Sequence, residues 1–401
     1  MEIIDKGICV QGFKAGGAKE EEYGLAMLLS EVEADCAIMI TSNKIKASPL
    51  IVTREHVKNG KAWGIVANSG NANAYTGGEG LQDARKMCEM ASRRFGLRAE
   101  DFIAASTGVI GRRLNLKIIE KMIDEVSEKL ESSKKASLTA ARGIMTTDTF
   151  PKTVSVRTKL KSGHEVEIGG IAKGSGMITP DLTHATMLCF LTTDAYVPKG
   201  KINKILEEAI ERSFNMVVVD GDTSTNDMVA LLANGLAENE DVDENFLEAL
   251  NFVTLELAKM MAKDGEGATK YFEVDVKGAL TRGDARRVAK AVTGSNLVKT
   301  ALFGKDPNWG RIVAAIGYSE AEIEPDKISL FLNGGGKEVC LVNRGRVLAF
   351  QGTEELGMAK EILEADELEI IIDLGIGNEE ATAFGCDLTL DYVRMNAQYT
   401  T

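Results

Sequence analysis

The sequence predicts a mixed α/β fold in which stacked β-sheets are flanked by helices. Helical periodicity is clear in four segments, and these segments cluster between groups of short strands instead of alternating strictly with them. Several strand candidates are wholly apolar, which is typical of strands that are covered on both faces. The chain also contains 40 glycines and six prolines, which indicates many tight turns and close backbone approaches. These features favour stacked sheets over a doubly wound parallel sheet.

The individual elements follow from apolar spacing and from turn residues. Apolar stripes with helical spacing predict four helices, at about 80–94, 118–130, 202–214 and 244–263. Short runs bounded by glycine or turn residues predict the strands. These strands are 153–160, 186–192, 216–219, 311–316, 328–332, 346–350, 367–373 and 386–395.

The composition describes a soluble globular chain that is long enough for two or three lobes. Its 401 residues are 44% hydrophobic and 27% charged, with a net charge of −13. This charge argues against nucleic acid or an anionic membrane as the main partner, because phosphate binding depends on clustered Lys and Arg. No run of about 18 apolar residues occurs, so we expect no membrane-spanning helix.

Expectations about location and metals come from the first residues, the cysteines and the histidines. The start of the chain lacks the basic-then-apolar layout of a signal peptide, and the six cysteines lie far apart without a CxxC pair. Both features favour a cytoplasmic protein with reduced thiols. The chain has three histidines and no HExxH motif, so we expect no bound metal.

The strongest candidate for chemistry is Thr186. A glycine-rich turn at 171–180 presents Lys173, and Thr186 then opens an apolar strand. By default a threonine there is an ordinary strand start. Its hydroxyl could, however, attack the carbonyl of Ala185, and hydrolysis of the resulting ester would free an N-terminal threonine. The α-amine of that threonine, with a pKa of about 7.7–8.0, could then accept the hydroxyl proton.

Such a nucleophile needs donors for the oxyanion that develops during attack. The segment 106–111 is a candidate, because it follows an apolar stretch and its Gly108 allows a close approach to substrate. An ordinary strand-to-turn transition is the simpler interpretation. Three other polar runs, at 68–77, 146–149 and 220–227, are each turn scaffolding by default.

Taken together, these motifs resemble the ornithine acetyltransferase family of arginine biosynthesis, whose members are also called glutamate N-acetyltransferases. The resemblance runs nearly from end to end. The ten blocks that carry it are 12–14, 68–74, 106–111, 145–149, 173–178, 185–188, 220–227, 264–270, 303–312 and 392–401.

The resemblance implies a cleaved protein with a defined site. Cleavage between Ala185 and Thr186 would give an α chain of residues 1–185, with the oxyanion loop and the lysine loop, and a β chain of residues 186–401. Thr186 would be the nucleophile, and Thr107 and Gly108 would form the oxyanion hole. The implied substrate-binding residues are Thr146, Thr147, Lys173, Thr186, Glu266, Asn396 and Thr401, and the choice between the two adjacent threonines stays open. The implied fold is an αββα sandwich, usually assembled from two α and two β chains.

The implied chemistry is a ping-pong acetyl transfer in the cyclic route of arginine biosynthesis. Thr186 would take acetyl from N²-acetylornithine, ornithine would leave, and glutamate would attack the ester to give N-acetylglutamate. No cofactor is implied, and acetyl-CoA would serve as a co-substrate only in a bifunctional member.

Two alternatives remain open. A self-processing aminopeptidase of the related fold would pass its acyl group to water, although the C-terminal block with Asn396 and Thr401 favours the transferase. A noncatalytic amino-acid-binding relative would remain uncut. Its support is the loop 181–184, which is longer than the family pattern and places His184 before the cleavage alanine.

Overall fold

The computed structural model describes residues 1–179 and 187–398, and these divide into two compact units. Residues 1–215 and 222–261 contribute to the first unit, and residues 216–221 and 262–398 to the second. Each unit contains one mixed β-sheet with helices packed against it. The predicted chain boundary between Ala185 and Thr186 lies outside the described residues, so the division into α and β chains stays a prediction.

Strands and helices are numbered here in chain order. The strands are β1 (Glu2–Ile3), β2 (Phe13–Glu20), β3 (Tyr23–Ile40), β4 (Lys61–Asn71), β5 (Phe102–Val109), β6 (Lys152–Lys159), β7 (Glu165–Lys173), β8 (Leu188–Thr193), β9 (Val217–Val218), β10 (Met228–Ala233), β11 (Tyr271–Ala279), β12 (Ser329–Gly334), β13 (Lys337–Asn343), β14 (Arg346–Val347), β15 (Glu367–Asp373) and β16 (Glu379–Cys386). The helices are α1 (Ser48–His56), α2 (Gly77–Arg93), α3 (Leu116–Ser127), α4 (Lys134–Ile144), α5 (Lys199–Arg212), α6 (Glu244–Lys263), α7 (Arg282–Thr293), α8 (Asn296–Phe303), α9 (Trp309–Gly317), α10 (Glu354–Ile362) and α11 (Leu390–Gln398).

The sheet of the first unit has the strand order β1-β6-β7-β8-β10-β3-β4-β5, with β2 paired to β3. The pairs β8–β10 and β4–β5 are parallel, and the other neighbours are antiparallel. Apolar side chains pack on both faces of this sheet. On β3, Leu25 and Met27 belong to one core cluster, and Ala26 and Leu28 belong to another. Coverage on both faces explains why such strands are apolar along their whole length.

The pairing in the first sheet places three strand ends close together. Lys173, at the end of β7, pairs with Leu188 at the start of β8. Leu188 also pairs with Met228, the first residue of β10. The chain that follows Thr186 therefore enters the sheet between the end of β7 and the start of β10.

The second sheet has the order β14-β13-β12-β15-β11-β16-β9. Its pairs β11–β15 and β16–β9 are parallel, and the others are antiparallel. Helix α7 packs on the neighbouring strands β11 and β16. Across the described residues, no helix combines the length and apolar character needed to cross a membrane.

The predicted mixed α/β class with flanking helices is confirmed, and two predicted strands are wrong. Residues 311–316 lie in α9, where Ile312, Ala315 and Ile316 are buried at helical spacing. A short apolar run does not distinguish a strand from a buried helix, which is the reason for this error. The predicted strand 386–395 divides between the end of β16 and the helix α11. The Thr389 hydroxyl caps that helix by accepting a hydrogen bond from the Tyr392 N–H at 3.1 Å.

The buried Asp194, which follows β8, is expected to make stability depend on pH. Burial raises the pKa of its carboxyl to about 6, although the Glu167 N–H donates a hydrogen bond to it at 2.7 Å. A raised native pKa stabilises the fold below the unfolded-state value of about 3.9, and this stabilisation is lost as pH rises through 6. Asp194→Asn should therefore be more stable than the parent by about 3 kcal/mol at pH 7.5 and equal to it at pH 4. Urea unfolding at both pH values checks this, and an equal difference at the two would contradict it.

Candidate active site

Three of the sequence-predicted residues meet around the Lys173 ammonium group. Lys173 ends β7, and its side chain is 9% exposed. Its Nζ donates hydrogen bonds to Thr146 Oγ1 at 2.9 Å and to Thr107 Oγ1 at 3.3 Å. Because Thr107 Oγ1 accepts from the lysine, its own O–H remains a donor. The arrangement gathers a cation and two hydroxyl groups at one point, which suits stabilisation of a developing anion.

A buried carboxylate, Asp148, holds this cluster in place. Its side chain is fully buried with that of Lys152, and Lys152 Nζ donates to Asp148 Oδ1 at 2.7 Å. The Gly174 N–H donates to the same oxygen at 2.6 Å, and Lys173 Nζ lies 4.0 Å from Asp148 Oδ2. Burial alone would raise the pKa of Asp148, but the ammonium groups of Lys173 and Lys152 lower it to about 2. Asp148 is therefore ionised and positions both lysines.

The predicted oxyanion residues lie at the end of β5. Gly108 has φ of 125°, and a Cβ atom there would lie 2.4 Å from the backbone carbon of Gly70 on β4. The close approach that requires glycine is between two strands of the protein, and the predicted approach to substrate stays a prediction. Gly108 is half-buried beside Thr107.

The polar runs of the sequence form a hydrogen-bonded network behind Thr107. Ser106 Oγ donates to Asn68 Oδ1 at 2.5 Å. The Asn226 side-chain amide donates to Ser106 O at 2.8 Å and to Ala72 O at 2.6 Å. Segments from 68–74, 106–111 and 220–227 therefore fix one another, and they orient the strand end that carries the oxyanion candidates.

The two adjacent threonines point to different partners. Thr146 contacts the Lys173 ammonium, whereas the Thr147 hydroxyl lies 2.7 Å from Ser175 Oγ. The geometry therefore favours Thr146 as the residue that shares the site with Lys173.

In the second unit, Asn396 and Glu266 form a pair. Asn396 lies on α11 and its Nδ2 donates to Glu266 Oε2 at 2.8 Å. Position 267 packs closely against α11 and requires glycine. Gly267 has φ of 66°, and a Cβ atom there would lie 2.5 Å from the Tyr392 nitrogen. Ala185, Thr186 and Thr401 lie outside the described residues, so their predicted roles stay predictions.

Three charged residues of this site, Asp148, Lys152 and Lys19, were not predicted from the sequence. Asp148 stood within a run of turn-forming residues, and its burial partner Lys152 follows four residues later. Lys19 on β2 donates from Nζ to Ser69 Oγ at 3.0 Å and to Met145 O at 2.5 Å. Loss of hydration and the field of Lys173 lower the pKa of Lys19. No local pattern marks Lys19, because its partners are 50 and 126 residues away.

Within the described part of the chain, no cluster of His, Cys, Asp and Glu could hold a metal ion.

The chain is similar to proteins of one known family along almost its whole length. The ArgJ family model matches residues 10–401. The glutamate N-acetyltransferase of Methanocaldococcus jannaschii is 48% identical over 405 residues, which cover 100% of both chains. The arginine biosynthesis bifunctional protein ArgJ of Caldanaerobacter subterraneus is 44% identical over 413 residues, again covering 100% of both.

One solved structure matches about half of this chain over its own full length. The crystal structure of the arginine biosynthesis bifunctional protein ArgJ of Bacillus halodurans is 45% identical with a TM-score of 0.50, and the match covers 53% of this chain and 100% of that chain. Together with the family match and the full-length relatives, this likeness shows that the chain belongs to the ArgJ family.

Proposed function

We propose that this protein transfers acetyl from N²-acetyl-L-ornithine to L-glutamate through an acetyl ester on Thr186. Membership of the ArgJ family makes it an acyltransferase of arginine biosynthesis, and full-length relatives are named glutamate N-acetyltransferase. The observation that carries the proposal is the convergence of Lys173, Thr146 and Thr107 beside Gly108. These donors are what an acetyl-transfer intermediate requires for its oxyanion.

The nucleophile is freed by cleavage of the Ala185–Thr186 peptide bond. Residue 188 enters the sheet beside Lys173, so the predicted nucleophile is two residues from the lysine's own pairing partner. The Bacillus halodurans chain, matched in full, spans 53% of this chain. That share is close to the one that residues 186–401 would make, which supports division at this point.

In the first half-reaction, Thr186 Oγ attacks the acetyl carbonyl and passes its proton to the Thr186 α-amine. The carbonyl oxygen becomes an oxyanion that accepts hydrogen bonds from the Gly108 N–H and the Thr107 hydroxyl, while Lys173 supplies positive charge behind that hydroxyl. The ornithine nitrogen then takes the proton and leaves. In the second half-reaction, the glutamate amine attacks the ester and the same groups act in reverse.

The remaining site residues bind the amino-acid parts of the substrates. Lys173 also offsets a carboxylate, with Thr146 beside it in preference to Thr147. Glu266, oriented by Asn396, pairs with an ammonium group of ornithine. Thr401 is the remaining substrate-binding residue. No cofactor takes part, acetyl-CoA is a co-substrate only if the protein is bifunctional, and the cleaved chains assemble as α2β2.

The denatured mass of the purified protein and an exchange assay test the proposal. Cleavage at Thr186 should convert the 43.2 kDa chain into fragments of about 20 and 23 kDa, because simple peptide hydrolysis divides the mass by residue count. A ping-pong transferase should also exchange labelled ornithine into N²-acetylornithine without glutamate. Release of acyl groups to water without exchange would favour the aminopeptidase, and a single uncut chain that binds ornithine without exchange would favour the noncatalytic relative.

A further inference from the structure

Asp227 presents a buried oxygen that the fold does not satisfy. The residue is 1% exposed, and its Oδ2 has no hydrogen-bond partner among the described residues. Buried polar atoms are almost always paired, so an unpaired carboxylate oxygen requires an explanation in structure or function. The turn-forming run 220–227, in which Asp227 stands, received no catalytic role from the sequence.

Asp227 lies close in space to Met187, the residue that follows the proposed nucleophile in the sequence. Its backbone carbonyl accepts from the Thr41 N–H at 3.1 Å, and the next residue, Met228, donates from its N–H to Met187 O at 2.8 Å. Asp227 therefore stands beside Met187 at the start of β10. Met187 is joined directly to Thr186, and a trans peptide separates consecutive Cα atoms by about 3.8 Å.

The electrostatic surroundings connect this carboxyl with the candidate active site. Burial raises the pKa of Asp227 well above its usual range. The Thr41 hydroxyl, the Lys173 ammonium and the backbone N–H groups of Asp227 and Met187 favour its ionised form against that effect. Lys173 is the charged side chain that acts on it, and Lys173 itself is held by Asp148. A further positive charge beside this carboxyl would favour its ionised form in the same way as Lys173 does.

We propose that Asp227 is a positioning residue for the amine that activates Thr186. The inference rests on the proposed function, in which cleavage frees the α-amine of Thr186. The amine accepts the Thr186 hydroxyl proton as the bond from Oγ to the acetyl carbon forms, and it later gives that proton to the leaving ornithine nitrogen. Asp227 Oδ2 accepts a hydrogen bond from the amine throughout and stabilises the ammonium that forms. A nucleophile, a base and a group that orients the base are the three parts of this arrangement.

Asp227→Asn tests this role, with Asp194→Asn as the matched control. Both aspartates are buried and have raised pKa values, but Asp194 lies at the other end of β8 with its carboxyl bonded to the Glu167 N–H. Asp227→Asn should be cleaved, bind N²-acetylornithine with an unchanged KM, and lose about 100-fold in kcat. The acid limb of its kcat profile should move to lower pH, because a neutral amide no longer raises the pKa of the amine. Asp227→Glu should restore the position of that limb, and Asp194→Asn should keep the parent profile.

The outcomes separate this inference from the proposed function. If the parent protein is cleaved and exchanges ornithine but Asp227→Asn keeps its kcat and pH profile, the role of Asp227 is overturned and the function stands. A folded Asp227→Asn chain that remains uncut would also overturn it, because cleavage precedes the appearance of the amine. An uncut, inactive parent protein would instead remove the proposed function.

Discussion

Thr186→Ala is expected to yield one chain of 43.2 kDa without acetyl transfer. The substitution removes the oxygen that attacks the Ala185 carbonyl during cleavage and the acetyl carbonyl during transfer. Both steps depend on the same atom, so the variant should lose about 10⁴-fold or more in kcat. Denatured mass and ornithine exchange, measured on the same preparation, check the two steps.

Two further variants make this experiment specific. Thr186→Ser keeps a hydroxyl and an N-terminal amine, so it should be cleaved and should retain part of the activity. Thr183→Ala removes a hydroxyl three positions earlier in the sequence, and it should behave as the parent does. A Thr186→Ala protein that is still cleaved, or that still exchanges ornithine, would exclude Thr186 from the mechanism.

The sequence was most informative where periodicity is long or turn residues mark an end. The helix at 244–263 and the strand at 367–373 have the predicted bounds, because each is a clear apolar pattern with defined limits. The 18-residue strand β3 was not predicted, since its Glu31, Glu33 and Asp35 interrupt the apolar pattern. The helical run at 311–316 is short and apolar, and only its packing in the second unit distinguishes it from a strand.

The sequence marked Lys173 and Thr107 as candidate site residues, but it did not mark the buried carboxylates near them. Lys173 and Thr107 were marked by glycine-rich and polar local patterns, and the structure places them 3.3 Å apart. Asp148 and Asp227 were not singled out, because a buried carboxylate in a turn-forming run looks like any exposed turn residue. Their importance depends on burial and on partners that tertiary structure supplies, such as Gly174 for Asp148 and Met187 for Asp227.

Asp148→Asn is expected to have the largest effect on stability. The substitution leaves Lys152, which is fully buried, without the carboxylate that it contacts at 2.7 Å. Removing one partner of a buried ion pair costs about 3–5 kcal/mol in the free energy of unfolding, because the remaining charge stays buried after its opposite charge is lost. Urea unfolding measures this loss, and transfer activity should also fall because Lys173 and Gly174 lose their common anchor.

A matched control and a double variant separate the lost charge pair from a general packing defect. Asp83 is as deeply buried, but its partner Arg113 has a side chain that is 45% exposed and can return to water. Asp83→Asn should therefore cost less than Asp148→Asn. Replacing Lys152 by Met in the Asp148→Asn background should recover part of the stability, because the charge of Lys152 is then no longer buried beside a neutral side chain.

The free energy of unfolding at acid pH gives an independent measure of the Asp148–Lys152 ion pair. The lowered pKa of Asp148, about 2, stabilises the native state above the unfolded-state value of about 3.9. This contribution, about 2 kcal/mol, is lost as pH falls from 4 to 2, because the unfolded carboxyl binds a proton over this range while the native carboxyl stays ionised until the pH approaches 2. Asp148→Asn lacks a titrating group here, so the gap between parent and variant should narrow over this range. A gap that stays constant down to pH 2 would mean that the Asp148 carboxylate does not stabilise the fold through its charge.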